Sequence, residues 1–103
     1  MSRSRSWFRA KAGKRDKNHA PIRDGLRRLG CIVADLAGAA DGVADLAVLP
    51  PGAPSGGWKW LEVKSDKGTL TDAQRLLHAQ WAAKGVTVHV VRSLDEALAV
   101  VRT

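Results

Sequence analysis

W-K-W-L-E-V-K, residues 58–64, is the stretch from which the fold can be read outward. Trp58, Trp60, Glu62 and Lys64 fall on one side of an extended chain, and Lys59, Leu61 and Val63 on the other. That alternation predicts a strand. Just before it, residues 50–57 (PPGAPSGG) are dense in turn formers and can only connect. Residues 43–49 (VADLAVL) read as a second strand, so the pair is most simply an antiparallel hairpin. Residues 31–36 (CIVADL) supply a further strand upstream, with residues 38–42 as loop.

Helices flank this block. Ile22, Leu26 and Leu29 recur at spacings of four and three, with Asp16 or Asn18 as the cap and Gly30 as the exit. Gly25 inside that helix costs up to about 1 kcal/mol relative to alanine. Downstream, Thr71-Asp72-Ala73-Gln74 has capping-box spacing and opens a helix to about Lys84, stopped by Gly85. Residues 86–91 form an almost unbroken β-branched run, which predicts a strand buried on both faces. Ser93-Leu94-Asp95-Glu96 repeats the capping-box spacing, and Leu94, Ala97, Leu98 and Val101 line one face of a closing helix. Helix, three strands, helix, strand, helix predicts an α/β domain with a central sheet flanked by helices.

At 103 residues the chain has the size of one domain, and 45% hydrophobic with 26% charged residues is globular composition. No apolar run approaches the roughly 18 residues of a membrane span, and no apolar signal core follows the charged start. Cys31 is the single cysteine, which excludes an intrachain disulfide and a cysteine-rich zinc site. A reducing cytoplasm is the expected compartment. The net charge of +7 is unevenly placed. Arg3, Arg5, Arg9, Lys11, Lys14, Arg15 and Lys17 face only Asp16 over residues 1–17, whereas the remainder is nearly balanced. Residues 1–15 show no hydrophobic periodicity, with Trp7 and Phe8 their only large apolar groups, and read as a flexible basic arm on a domain of residues 16–103. Such an arm suits a polyanion such as nucleic acid; the plainer alternative is a solubilising tail.

The constellation with chemical content is Asp45 on the second strand with Glu62 and Lys64 on the third. Strand periodicity sets Glu62 and Lys64 side by side, and a hairpin can bring Asp45 next to them. Two carboxylates and an ammonium are costly to bury on central strands. Hard carboxylate oxygens suit Mg²⁺ or Mn²⁺, which bind through one or two acids plus waters and a phosphate. Lys64 could hold an attacking water, neutralise transition-state charge or, sufficiently desolvated, act as a general base. The alternative is a cross-strand charged pair on a wet face with Asp45 at a loop edge. Trp58 and Trp60 on the Glu62 face argue that this face is not simply open to water.

The ordered set Asp-Gly-Val-Ala-Asp (41–45), Trp-Leu-Glu-Val-Lys (60–64), Leu-Thr-Asp-Ala-Gln (70–74) and Val-Val-Arg-Ser-Leu-Asp-Glu-Ala-Leu (90–98) resembles the VRR-NUC nucleases of the PD-(D/E)XK superfamily, most closely the stand-alone phage and prophage type. The resemblance runs from Arg15 to about Val101. It implies a restriction-endonuclease-like αβββαβ core with a mixed sheet. It also implies a metal held by Asp45, Glu62 and the Val63 carbonyl, with Lys64 as the catalytic lysine and Gln74 at the site's edge. Two positions depart from the pattern. Ala44 stands where a proline usually precedes the first acid. His19, after Asn18, falls where the first helix often carries an acid. His19 could ligate a metal or orient a phosphate or water; otherwise that acidic function is missing, or Asp16 supplies it.

The resemblance therefore implies an Mg²⁺- or Mn²⁺-dependent endonuclease acting on branched or junction DNA as a homodimer. The alternative is a catalytically inactive DNA-binding module on the same scaffold, and nothing in the motifs separates DNA from RNA. Other residues have simpler readings. Gln74 is accounted for as a capping-box partner, Trp81 as core and His89 as a core or edge histidine; His78, on the same helix face as Gln74, reads as a surface histidine or as one pointing at DNA. Asp35 and Asp41 read as turn residues, and Trp58 and Trp60 as base-stacking, sheet-covering or dimer-contact groups.

Overall fold

The computed structural model describes residues 17–39 and 43–103. Helix α1 (His19–Arg28) leads into strands β1 (Ile32–Asp35), β2 (Leu46–Leu49) and β3 (Lys59–Val63). Helix α2 (Asp72–Ala83), strand β4 (Val88–Val91) and helix α3 (Leu94–Val101) follow. The strands form one sheet in the order β1-β2-β3-β4. β1 and β3 each pair antiparallel with β2, while β4 joins β3 in parallel. Residues 50–58 make the hairpin loop, so that Trp58 precedes β3. The parallel step needs a long crossover, and α2 provides it.

Alternation along the strands divides the sheet into two faces. Leu46 lies opposite Leu61, Val33 opposite Val48 and Val63 beside Val91, so these side chains share one side. Ile22 and Leu26 of α1 and Ala97 and Val101 of α3 close over them as the core. Leu26, Leu46, Val48 and Leu61 are fully buried, and each large aliphatic contributes about 1.5–3 kcal/mol by leaving water. Gly25 sits where α1 meets α3: a β-carbon there would lie 2.6 Å from Leu94 Cδ2. Its helix penalty is the cost of letting α3 approach. Gly85, at φ +85°, ends α2 in a left-handed turn.

Several expectations need correction. β2 begins at Leu46 and leaves residues 43–45 outside the ladder. β4 is an edge strand with Val91 alone fully buried, not a strand sealed on both faces. Leu29 lies past the end of α1 and is 53% exposed. Asn18 precedes α1 but makes no capping bond. Its side-chain amide instead donates to the carbonyls of Lys64 and Arg92, each at 3.0 Å. At α3 the Ser93 side chain accepts from the Glu96 amide, while Glu96 Oε1 accepts from Arg92 N, one residue before the expected partner. No helix among the described residues is long and apolar enough to cross a membrane. The basic positions Arg3, Arg5, Arg9, Lys11, Lys14 and Arg15 lie outside the described residues, as do Asp16 and Asp41; Lys17 is exposed.

Candidate active site

Where β2 stops, a side chain takes over the ladder. Val63 N–H faces β2, where residue 44 would be its main-chain partner. It donates instead to Asp45 Oδ2 at 2.8 Å. The Asp45 main chain is also tied down: its N–H donates to the Leu61 carbonyl at 3.0 Å, and its carbonyl accepts from Leu36 N at 2.8 Å. The carboxylate is thereby fixed against the end of β3, beside Glu62.

Glu62 alternates to the face opposite Leu61 and Val63 and is only 1% exposed. A carboxylate buried that far needs hydrogen bonds, and α2 provides two. Gln74 Nε2 donates to Oε2 at 3.1 Å, and His78 Nε2 lies 3.3 Å from Oε1. Gln74 does this while completing its capping box, its Oε1 accepting from Thr71 N and its own N–H donating to Thr71 Oγ1. Cap and site are therefore one arrangement: the bond that starts α2 also aims Gln74 at Glu62. Lys64 is held from both sides, its N–H on the Val91 carbonyl and its carbonyl on the Asn18 amide.

His78 reports how close these charges are. Burial holds its ring below the ordinary histidine value, the Lys64 ammonium pushes the same way, and the Asp45 carboxylate opposes both. Glu62 touches the imidazole directly. His78 is a correction to its reading as a surface histidine. The available signal was its position four residues after Gln74, on the same helical face. The stripe continues to Trp81, whose ring packs edge-on against Trp60 with centroids 5.3 Å apart. Trp81 is half-buried on this face, outside the core.

His19 goes elsewhere. It is buried, and its Nε2 lies 3.0 Å from Asp35 Oδ1. Asp35, far from being a turn residue only, also accepts from Arg23 at 3.0 Å and from the Ala37 amide at 3.1 Å. Burial raises the Asp35 carboxyl, but the bonds from His19 and Arg23 together outweigh it and hold the group below its ordinary value. Among the described residues no three of His, Cys, Asp and Glu are grouped to hold a metal. His19 is engaged with Asp35. What remains is two carboxylates and main-chain carbonyls. That donor set fits a Mg²⁺-type ion, which keeps waters and shares a substrate phosphate, and does not form a closed protein cage.

No protein-family model matches the sequence, and no curated protein matches it. Among solved structures, one described as a VRR_NUC domain aligns over 84% of this chain and 91% of its own length, with a TM-score of 0.64 and 23% identity. At that identity the likeness is one of architecture. The chain has the restriction-endonuclease-like fold of a VRR_NUC domain, with its mixed four-stranded sheet and flanking helices.

Proposed function

We propose that the protein is a divalent-metal-dependent nuclease of the VRR-NUC kind, hydrolysing phosphodiester bonds in DNA. What supports this reading is the fold described above, together with two acids at the end of β3: Asp45, whose carboxylate accepts from Val63 N, and the buried Glu62, held by Gln74 and His78. Asp45, Glu62 and the Val63 carbonyl would hold Mg²⁺ or Mn²⁺. Such an ion, when bound, polarises the phosphoryl oxygen and stabilises charge on the leaving oxygen. Lys64 orients the attacking water or neutralises charge on the phosphate. Gln74 and His78 hold the Glu62 carboxylate in one orientation, and Asn18 holds the main chain of Lys64.

The basic positions of residues 1–17 supply phosphate contacts beyond the site. Branched or junction DNA is the substrate proposed here, and a homodimer the working form, since one site per copy requires two copies to nick two strands symmetrically.

The test is cleavage of junction, flap and linear DNA with Mg²⁺ or Mn²⁺ by the wild type, Glu62→Gln and Lys64→Ala. Each substitution should slow cleavage by on the order of 10³-fold, about 4 kcal/mol of transition-state stabilisation, while DNA binding survives. Binding without cleavage by the wild type under every metal condition would instead identify a DNA-binding module on a nuclease scaffold.

A further inference from the structure

Glu62 and Trp60 are two residues apart on the same face of β3, about 6.6 Å along the strand. Over them, α2 lays Gln74, His78 and Trp81 at helical spacing: the first two touch Glu62, and the third touches Trp60. The site therefore continues without a break into an aromatic surface. The two indoles meet at 82°, edge against face, and both line the hollow beside the contact. Trp60, Trp81, Val86 and Lys84 line an open apolar pocket of about 410 Å³ there. A second hollow of about 350 Å³ adjoins it, sharing Trp60 and Val86 and adding Lys59, Thr87 and His89.

An apolar slot with a lysine at its rim is matched by few ligands. A lipid or an aliphatic side chain would fill the slot but leave Lys84 without a partner. A nucleotide satisfies both parts, its base against the indoles and its phosphate against the Lys84 ammonium. Stacking on an indole requires a base that is not paired within a duplex. Continuity with Glu62 places such a base close to the phosphate that the proposed site would engage.

We propose that the Trp60–Trp81 pocket binds one unpaired nucleobase of the DNA strand. This rests on the nuclease reading for the identity of the strand, and it adds the reason a branched substrate would be preferred: a fork or flap offers an unpaired base beside a cleavable phosphate.

The experiment measures binding of the full chain, in EDTA so that no strand is cut, to a flap substrate, to a single strand and to a blunt duplex. An abasic position is stepped along the unpaired strand. In the wild type, one abasic position should weaken binding about tenfold, within the range for loss of one base–aromatic stack. Trp81→Ala should weaken flap and single-strand binding by a similar factor, leave the duplex within about twofold, and abolish the dependence on that one position. Trp81→Phe should restore most of the effect, because the ring face returns.

Abasic effects that are uniform along the strand, or equal losses on duplex and single strand, would overturn the pocket. So would a change of oligomeric mass in Trp81→Ala, which would make the surface a contact between copies. The nuclease reading is judged separately, by cleavage in Glu62→Gln with metal. If Glu62→Gln cleaves like the wild type while the abasic coupling persists, the catalytic assignment falls and the base pocket stands.

Discussion

Leu61 and Glu62 are neighbours in β3, and both are sealed from water, but they are buried for different reasons. Leu61 points towards α1 and α3 and belongs to the hydrophobic cluster there, as do Leu46, Val48 and Val63. Glu62 points towards α2, where it meets an amide and an imidazole. The helices differ in the same way. Four residues of α1 and two of α3 are buried, whereas α2, the longest at 12 residues, buries none. One face of the sheet therefore holds the fold together, and the other holds polar and aromatic groups in position. The largest expected effect breaks the two apart at adjacent residues. Leu61→Ala should lower the unfolding free energy by about 2–5 kcal/mol. Glu62→Gln should stay within about 1 kcal/mol of wild type, since the amide oxygen can still accept from Gln74, its N–H can donate to His78 once that ring carries its proton on Nδ1, and no charge is buried. Urea unfolding of both variants checks this. A Glu62→Gln loss as large as that of Leu61→Ala would make Glu62 a structural residue.

Asn18 connects the two faces, and its role separates a cap from a clasp. A cap needs a side-chain oxygen, so Asn18→Asp would preserve it. A clasp needs the amide N–H, which bonds the Lys64 and Arg92 carbonyls. Asn18→Asp should therefore cost about 2 kcal/mol, because a carboxylate would face two carbonyls that have lost their donor. An unchanged urea midpoint would restore the capping role.

How much of this could be read from the sequence depends on whether a feature is local. The alternation of residues 58–64 predicts β3, its faces and its hairpin with β2, because a strand's period depends on nothing beyond the strand. Thr71 and Gln74 predict the start of α2 for the same reason. The sequence places Asp45 next to the third strand, where its carboxylate accepts from Val63 N, but it does not predict the start of β2. The Asp45 side chain occupies a ladder position, and no pattern of apolar residues records that. His78 and Asp35 fail in another way. Each looks like a surface or turn residue until the element opposite it is known, and the sequence does not say which carboxylate or imidazole lies across the gap. His19 shows the converse: its family position suggested the metal, and the fold gives it to Asp35.

Gly25 sharpens the description of the closed face. Alanine there gains up to about 1 kcal/mol of helix propensity, but its methyl would press on Leu94, where overpacking costs about 1–3 kcal/mol. Gly25→Ala should therefore destabilise by about 1 kcal/mol overall. Adding Leu94→Ala should reverse the sign, so that Gly25→Ala becomes stabilising in that background. Thermal unfolding of the four proteins forms the cycle. Additive effects would mean that α3 does not rest on that glycine.

The closed face carries a polar cluster around Asp35, and it predicts the smallest effect. Asp35 lies opposite Leu46 and so shares the core side of the sheet, where His19, Arg23 and the Ala37 amide hold its carboxylate. Because these bonds lower its pKa in the folded state, the unfolded chain binds more protons between the depressed value and the ordinary 3.8. The contribution of Asp35 to stability is thus complete above the ordinary value and is lost as pH falls through the depressed one. Wild type should lose more stability than Asp35→Asn when the pH drops from about 5 to about 2.5, measured as the shift in urea midpoint. Parallel acid limbs for the two proteins would mean that Asp35 fills its place by shape and hydrogen bonding alone. The closed face would then be as indifferent to charge as its aliphatic residues are, and the division between the two sides of the sheet would hold without exception.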